Sequence, residues 1–182
     1  MTKDRIKPLL PYAGIPVIAT AFLLVSIGRG LDTFAILMLE LIIIFGYVAT
    51  VFDLKTRRIP NSLVLAMLAA WVLAMTPKLL VDTNVAVAIL KDSALGFAVG
   101  GGLFMLVYLI SRKGLGGGDV KFMAAVGLFM GFAGTLAIML YGTILAALAG
   151  IILMILKKIG RKDSITLAPF LYAGILVTVF FR

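Results

Sequence analysis

Ile42-Ile43-Ile44-Phe45-Gly46-Tyr47-Val48-Ala49-Thr50-Val51-Phe52 runs straight into Asp53-Leu54-Lys55-Thr56-Arg57-Arg58-Ile59-Pro60-Asn61. The first part reads as the end of a helix crossing a bilayer, and the second as its exit. A carboxylate stands at the boundary, cations follow whose methylene stems can reach toward water, and a proline opens the next helix. Asp53 is thereby left where hydrocarbon meets water. An ionisable group in such a place costs several kcal/mol and is by default a functional residue. A second stretch repeats the situation, because Gly114-Leu115-Gly116-Gly117-Gly118-Asp119-Val120-Lys121-Phe122 sets Asp119 at the opening of another apolar run. There the positive end of a helix dipole favours a carboxylate.

The rest of the chain fits this reading. It has 182 residues, of which 63% are hydrophobic, and a mean hydropathy of +1.18, beyond the range of a soluble domain. A span needs roughly 17 to 25 apolar residues, and seven segments qualify or nearly so: about 9–27, 34–52, 62–80, 88–110, 120–133, 135–156 and 165–181. Pro77 and Lys78 interrupt the third, and Gly131 to Gly134 close the fifth early. The first follows Lys3, Arg5 and Lys7 as a signal peptide would, but no small-residue cleavage site comes after it, so it reads as a helix. Connections are short. The expected architecture is therefore all-α: one polytopic transmembrane bundle over 1–182, with an additional N-terminal helix in about 1–33. Alternation is too weak for a barrel.

Cysteine and histidine are both absent. That removes disulfides, thiol nucleophiles, Cys/His zinc sites and any imidazole base, and neither a metal nor a cofactor is expected. The formal charge of +9 points away from nucleic acid once its placement is seen. Lys3, Arg5, Lys7, Lys55, Arg57, Arg58, Arg112, Lys113, Lys121, Lys157, Lys158, Arg161 and Lys162 fall in alternate connections, and only Arg29, Lys78, Lys91 and Arg182 fall in the others. This is the positive-inside bias, which predicts a plasma-membrane protein with a cytoplasmic N-terminus and some attraction to anionic membrane lipid.

The same orientation puts Asp53 and Asp119 on one face, the cytoplasmic one. Hydrolysis by carboxylates needs two of them sharing a site, one ionised to take a proton from water and one protonated to give a proton to the scissile carbonyl. Asp32, Asp82 and Asp92 belong to the external side, Asp4 lies near the terminus, and Asp163 sits in a basic run. Glu40, about two turns from the external end of its helix, reads as paired within the bundle or near external water. Taken singly, Asp53 is also readable as a solvated interfacial charge and Asp119 as a helix cap. Gly116, Gly117 and Gly118 supply backbone freedom, including positive φ, and room for another chain to approach, or else form a plain loop. Lys121 reads as a topological anchor. Gly96 and Gly100, and Gly127 and Gly131, stand in small-xxx-small register for close helix packing.

Asp53 with its basic stretch and Ile59-Pro60-Asn61, then Gly116-Gly117-Gly118-Asp119-Val120-Lys121, resembles the type IV prepilin peptidase family, which includes the archaeal preflagellin peptidases. These are GxGD intramembrane aspartyl proteases. The resemblance runs from about Phe45 to the C-terminus, where Ala168-Pro169-Phe170-Leu171-Tyr172-Ala173-Gly174 is similar to the proline-containing final helix. It implies a six-helix catalytic core over about 34–182, with Asp53 and Asp119 alternating as general base and general acid. Gly116, Gly117 and Gly118 would admit the substrate backbone or let Asp119 move toward Asp53. It implies as partners pilin or flagellin-like precursors, cut at the cytoplasmic face just before their hydrophobic helix. Without the cysteine-rich methyltransferase region of many bacterial members, a peptidase-only form is expected. Because leader and loops are both basic, recognition is expected to rest on the hydrophobic helix and a small residue at the cut, with lipid concentrating both partners. Presenilin and signal-peptide-peptidase enzymes compete within the same chemistry, but they place tyrosine where Phe52 stands and Pro-Ala-Leu where Pro169-Phe170 stands. A small proton-coupled transporter, the rival from another class, predicts midplane polar groups and two similar halves, neither apparent beyond Glu40.

Overall fold

A computed structural model describes residues 14, 18, 20–22, 28–111, 115–157, 160 and 166–181. The expectations for Lys3, Asp4, Arg5, Lys7, Arg112, Lys113, Gly114, Lys158, Arg161, Lys162, Asp163 and Arg182 lie outside these residues, as does most of the 9–27 segment, whose described residues have helical backbone. Every regular element among the described residues is a helix: α1 Thr33–Thr56, α2 Asn61–Val81, α3 Thr83–Ser111, α4 Gly117–Ile155 and α5 Ala168–Phe181. The first four are long and apolar enough to cross a membrane. With that length and composition the chain is a multi-pass helical membrane protein.

Three boundaries differ from the sequence reading, each for a local reason. Pro77 does not interrupt α2. It removes the one hydrogen bond to the Leu73 carbonyl, and the helix runs on past it to Val81. Helix α3 begins at Thr83 rather than near 88, because Asp82 both ends α2 and starts α3. Its N–H donates to the Lys78 carbonyl, while its own carbonyl accepts from Ala86 N–H and its Oδ1 from Val85 N–H at 3.2 Å. The close of the fifth segment is not a stretch from Gly131 to Gly134. It is one residue, Gly131, with φ 67° and ψ −172°, while Gly134 continues into the following rod. Split there, the described helices from Thr33 onward make six straight rods.

The break at Gly131 is repaired from both sides. In an unbroken helix Phe132 N–H would bond to the Leu128 carbonyl. Instead Phe132 N–H donates to Asp92 Oδ1 on α3 at 3.0 Å, and the indole N–H of Trp71 on α2 donates to the Leu128 carbonyl at 2.8 Å. Backbone groups at membrane depth need such partners because lipid offers none. Gly131 packs directly against the Asp92 carboxylate, leaving no space for a Cβ.

The chain reverses at this point. Gly100 of α3 touches both Met123, before the break, and Thr135, after it, so the two rods of α4 run in opposite directions past α3. The glycine register expected from sequence is used here, since Gly96 and Gly127 meet backbone to backbone. Gly142 and Gly174 likewise bring the second rod against α5, and Gly46 admits Tyr172 of α5 against α1. Ile42, Ile43, Phe122, Met123, Val126, Ile138, Leu171 and Ile175 fill the centre with almost no exposure. Asp53, Asp119, Lys55, Arg57, Arg58, Lys121 and Lys157 all fall at one end of this bundle. Asp32, Lys78, Asp92 and Gly131 fall at the other, where Lys78 Nζ stands 3.6 Å from Asp32 Oδ2.

Asp92→Ala is expected to destabilise the fold by about 1 kcal/mol, as loss of a helix cap does, and Asp92→Asn to recover most of it by keeping a carbonyl acceptor. Unfolding followed by the fluorescence of Trp71, the single tryptophan, measures both.

Candidate active site

Asp53 lies in the last turn of α1, where Arg57 closes the helix in the left-handed conformation with φ 52° and returns its N–H to the Asp53 carbonyl at 2.8 Å. The side chain of Asp53 is only 6% exposed. A buried carboxylate must find donors, and these come from a chain segment 115 residues away. Asp53 Oδ2 accepts from Ala168 N–H at 3.1 Å, and the Leu167 N–H lies near the same carboxylate. Those amides open α5, where Pro169 has no N–H and Phe170 N–H is satisfied by the Leu167 carbonyl. Asp53 therefore caps α5 from another helix.

Asp119 is the third residue of α4, behind Gly116 at the N-cap. Its Oδ2 accepts from Gly116 N–H at 3.2 Å, a capping-box bond. Asp119 is more accessible than Asp53, and the two are close enough for the charge on Asp53 to bear on it. The pair expected from the sequence thus sits at one end of the bundle, on the first turn of α4 and the last turn of α1, with the start of α5 beside them.

The glycines around Asp119 differ in what they do. None of Gly116, Gly117 and Gly118 adopts positive φ, so that expectation is corrected: Gly116 is extended as an N-cap and the next two are helical. Gly118 makes a close approach, since a Cβ there would lie 3.2 Å from both Ile59 N and Ile59 Cβ. Gly117 faces open space. The approaching chain is the protein's own connection from α1 to α2, anchored by the buried Ile59.

Two further residues belong to this joint. Lys121 Nζ donates to Asn61 Oδ1 at 3.1 Å, whereas the sequence had suggested only an anchor for Lys121. Its place two residues after Asp119, and that of Asn61 directly after Ile59-Pro60, were the available signals. Pro60 is the N-cap of α2 and Pro169 lies in the first turn of α5, shaping helix ends as expected. Glu40 is not brought to the aspartates, and its buried Oε1 has no hydrogen-bond partner among the described residues, so the pairing expected for it is not seen at that atom. A cavity of about 770 Å³ lies at the opposite end, beneath the Gly131 break, and holds neither aspartate. Among the described residues no cluster of three or more His, Cys, Asp or Glu side chains could hold a metal ion.

The sequence profile of the type IV leader peptidase family matches residues 40–155, a range that contains both aspartates. The chain belongs to that family. It is also 32% identical over 147 residues to the prepilin leader peptidase/N-methyltransferase of Legionella pneumophila, a match covering 79% of this chain and 50% of that protein. The chain thus spans about half the length of the curated relative it matches. No solved structure matches it. The profile match of the family ends before Ala168, so the α5 donors to Asp53 lie beyond it.

Asp53→Ala is expected to lower stability by about 1 kcal/mol by uncapping α5, with faster hydrogen exchange at the Ala168 amide, while Asp53→Asn keeps an acceptor and stays near the parent. Gly118→Ala is expected to cost about 1–2 kcal/mol through overpacking on Ile59, and Gly117→Ala less than about 0.5 kcal/mol; thermal unfolding of the purified chain separates the two.

Proposed function

We propose that this protein is an intramembrane aspartyl endopeptidase that removes the short basic leader from prepilin or preflagellin-like precursors at the cytoplasmic membrane face. Its site residues are Asp53 and Asp119, within one membrane-embedded domain whose core spans about 34–182. The observation that carries the reading is the placement of these two carboxylates at one end of the bundle, within electrostatic reach of each other, in a chain of this family. The positive-inside bias assigns that end to the cytoplasm.

Two carboxylates that share a site hold one proton between them most readily. Asp53 accepts the Ala168 N–H at the N-terminus of α5, which offsets part of the cost of burying its charge, and Asp119 accepts the Gly116 N–H at the start of α4; the proposed mechanism takes Asp53 as the ionised partner. In this mechanism Asp53 takes a proton from the attacking water as the C–O bond forms, and Asp119 gives its proton to the scissile carbonyl oxygen. Asp53 then returns a proton to the leaving amine as the C–N bond breaks, and the remaining hydroxyl proton passes back to Asp119 as the new carboxyl group forms. Water and peptide bond are consumed, and both aspartates end in their starting states.

Recognition rests on the precursor's hydrophobic helix rather than on its basic leader, because Arg57, Arg58 and Lys121 make this end of the protein basic as well. Membrane lipid holds both partners in one plane.

The test is cleavage of a pilin-type precursor by the full chain in vesicles. Asp53→Asn and Asp119→Asn are each expected to lower the rate by about 1,000-fold or more, with unchanged insertion and folding, and the parent to show a bell-shaped pH profile. Cleavage at the parental rate by either variant sinks the aspartyl mechanism.

A further inference from the structure

The first turn of α4 is held on two sides. Asp119 and Lys121 are two residues apart, about 200° around a helix, so they leave the rod on nearly opposite faces. One face brings Asp119 toward Asp53 on α1. The other sends Lys121 to Asn61, the first residue of α2. Between them Gly118 lies flat against Ile59 of the α1–α2 connection. That connection leaves Asp53 through the left-handed Arg57. Thr56 Oγ1 stands at its start, 2.8 Å from the Phe52 carbonyl and 3.0 Å from that of Arg58 and able to donate its one proton to either, and the connection ends at Pro60, the α2 N-cap.

A cation that only marks a membrane face needs no protein partner. Lys121 instead bonds a neutral amide 60 residues away in sequence. The glycine contact with Ile59 has no side chain on the α4 side and resists rotation of that turn only weakly, which leaves the buried Phe122 and Met123 on one side and the bond at Lys121 on the other to set it. Rotation is what moves the Asp119 carboxyl toward or away from Asp53.

We propose that Lys121 and Asn61 form a positioning latch that fixes the rotation of the α4 first turn and so the approach of Asp119 to Asp53. Neither is a catalytic residue; both act through Asp119. The proposal rests on the reading of Asp53 and Asp119 as the catalytic pair, and it adds two residues to which that reading gave no part in catalysis.

The experiment has two arms. In the first, the full chain in vesicles cleaves a synthetic precursor with a basic leader, a small residue at the cut and a hydrophobic helix. Lys121→Met and Asn61→Leu are each expected to lower kcat about 10- to 100-fold, the scale of a small misplacement of a reacting group, with KM within about twofold. The double variant should be no slower than the slower single one, and Lys121→Arg, which keeps a donor, should recover most of the rate. In the second arm the absence of cysteine permits spin labels at Leu54→Cys and Gly117→Cys without a background, and Lys121→Met is expected to broaden or shift their distance distribution. Effects that multiply in the double variant, a Lys121→Met defect without an Asn61→Leu defect, or a distance unchanged by Lys121→Met would each overturn the latch. Failure of the parent chain to cut any precursor would instead remove the peptidase reading, and the distance measurement would still decide whether the latch exists.

Discussion

A carboxylate buried at the end of α1 has to be given donors, and the fold supplies them from the first turn of α5. The bond from Ala168 N–H to Asp53 Oδ2 closes the bundle across 115 residues, and several other features of this end follow from it. Helix α5 can begin at the depth of Asp53 only because Pro169 brings no amide of its own and Phe170 N–H is satisfied locally by Leu167. Below that start, Tyr172 and Ile175 pack on Gly46 of α1, and Gly174 on Gly142 of α4. The small residues set how near the rods come, and the carboxylate sets their register along one another.

The second constraint is the single glycine at which α4 reverses. The rod from 117 to 130 is about 21 Å long at 1.5 Å per residue, short of a hydrocarbon core about 30 Å thick. It starts at Gly117, with Asp119 in its first turn, so the shortfall appears at the far end. There Asp92 and Trp71 satisfy the opened backbone pair, and the cavity beneath the break takes up the missing length. The imperfect part of the fold is thereby kept away from the aspartates, where α1 ends on the left-handed Arg57 and the starts of α4 and α5 are capped by Asp119 and Asp53.

Much of this was readable from residue order. The run ending at Phe52 and the cations after Asp53 located α1, and the charge asymmetry put Asp53 and Asp119 at one end. The glycine spacings marked close helix packing, though not which backbones would meet. Other features left no periodic trace. Asp82 serving two helices moved the start of α3 by five residues, since hydropathy sees polar Thr83 and Asn84 as a loop while a cap makes them helix. Asp92, Trp71, Asn61 and Lys121 act through single hydrogen bonds between distant segments. In helices apolar nearly all round, no amphipathic face indicates which neighbour each will meet. The same uniformity hid the donors to Asp53, because nothing in Leu167 or Ala168 but their backbone takes part.

The arrangement also bears on how the proposed carboxylate chemistry would fit a basic end of the protein. Two helix N-termini, those of α4 and α5, converge on the aspartates, and each carries the positive end of a helix dipole. Arg57, Arg58 and Lys121 add exposed cations around them. Together these favour one negative charge at a boundary where an isolated carboxylate would be driven toward its neutral form. The same field repels a basic segment in water, more weakly where salt screens it. On the proposed function, a precursor with such a segment would gain its affinity from apolar contact inside the bilayer, where α2 and α3 present the exposed Leu65, Leu73, Leu95, Leu106 and Leu109. In the proposed peptidase, charge at this site would hold the carboxylates in two different states, and selection would fall to the hydrophobic helix that brings the bond to them.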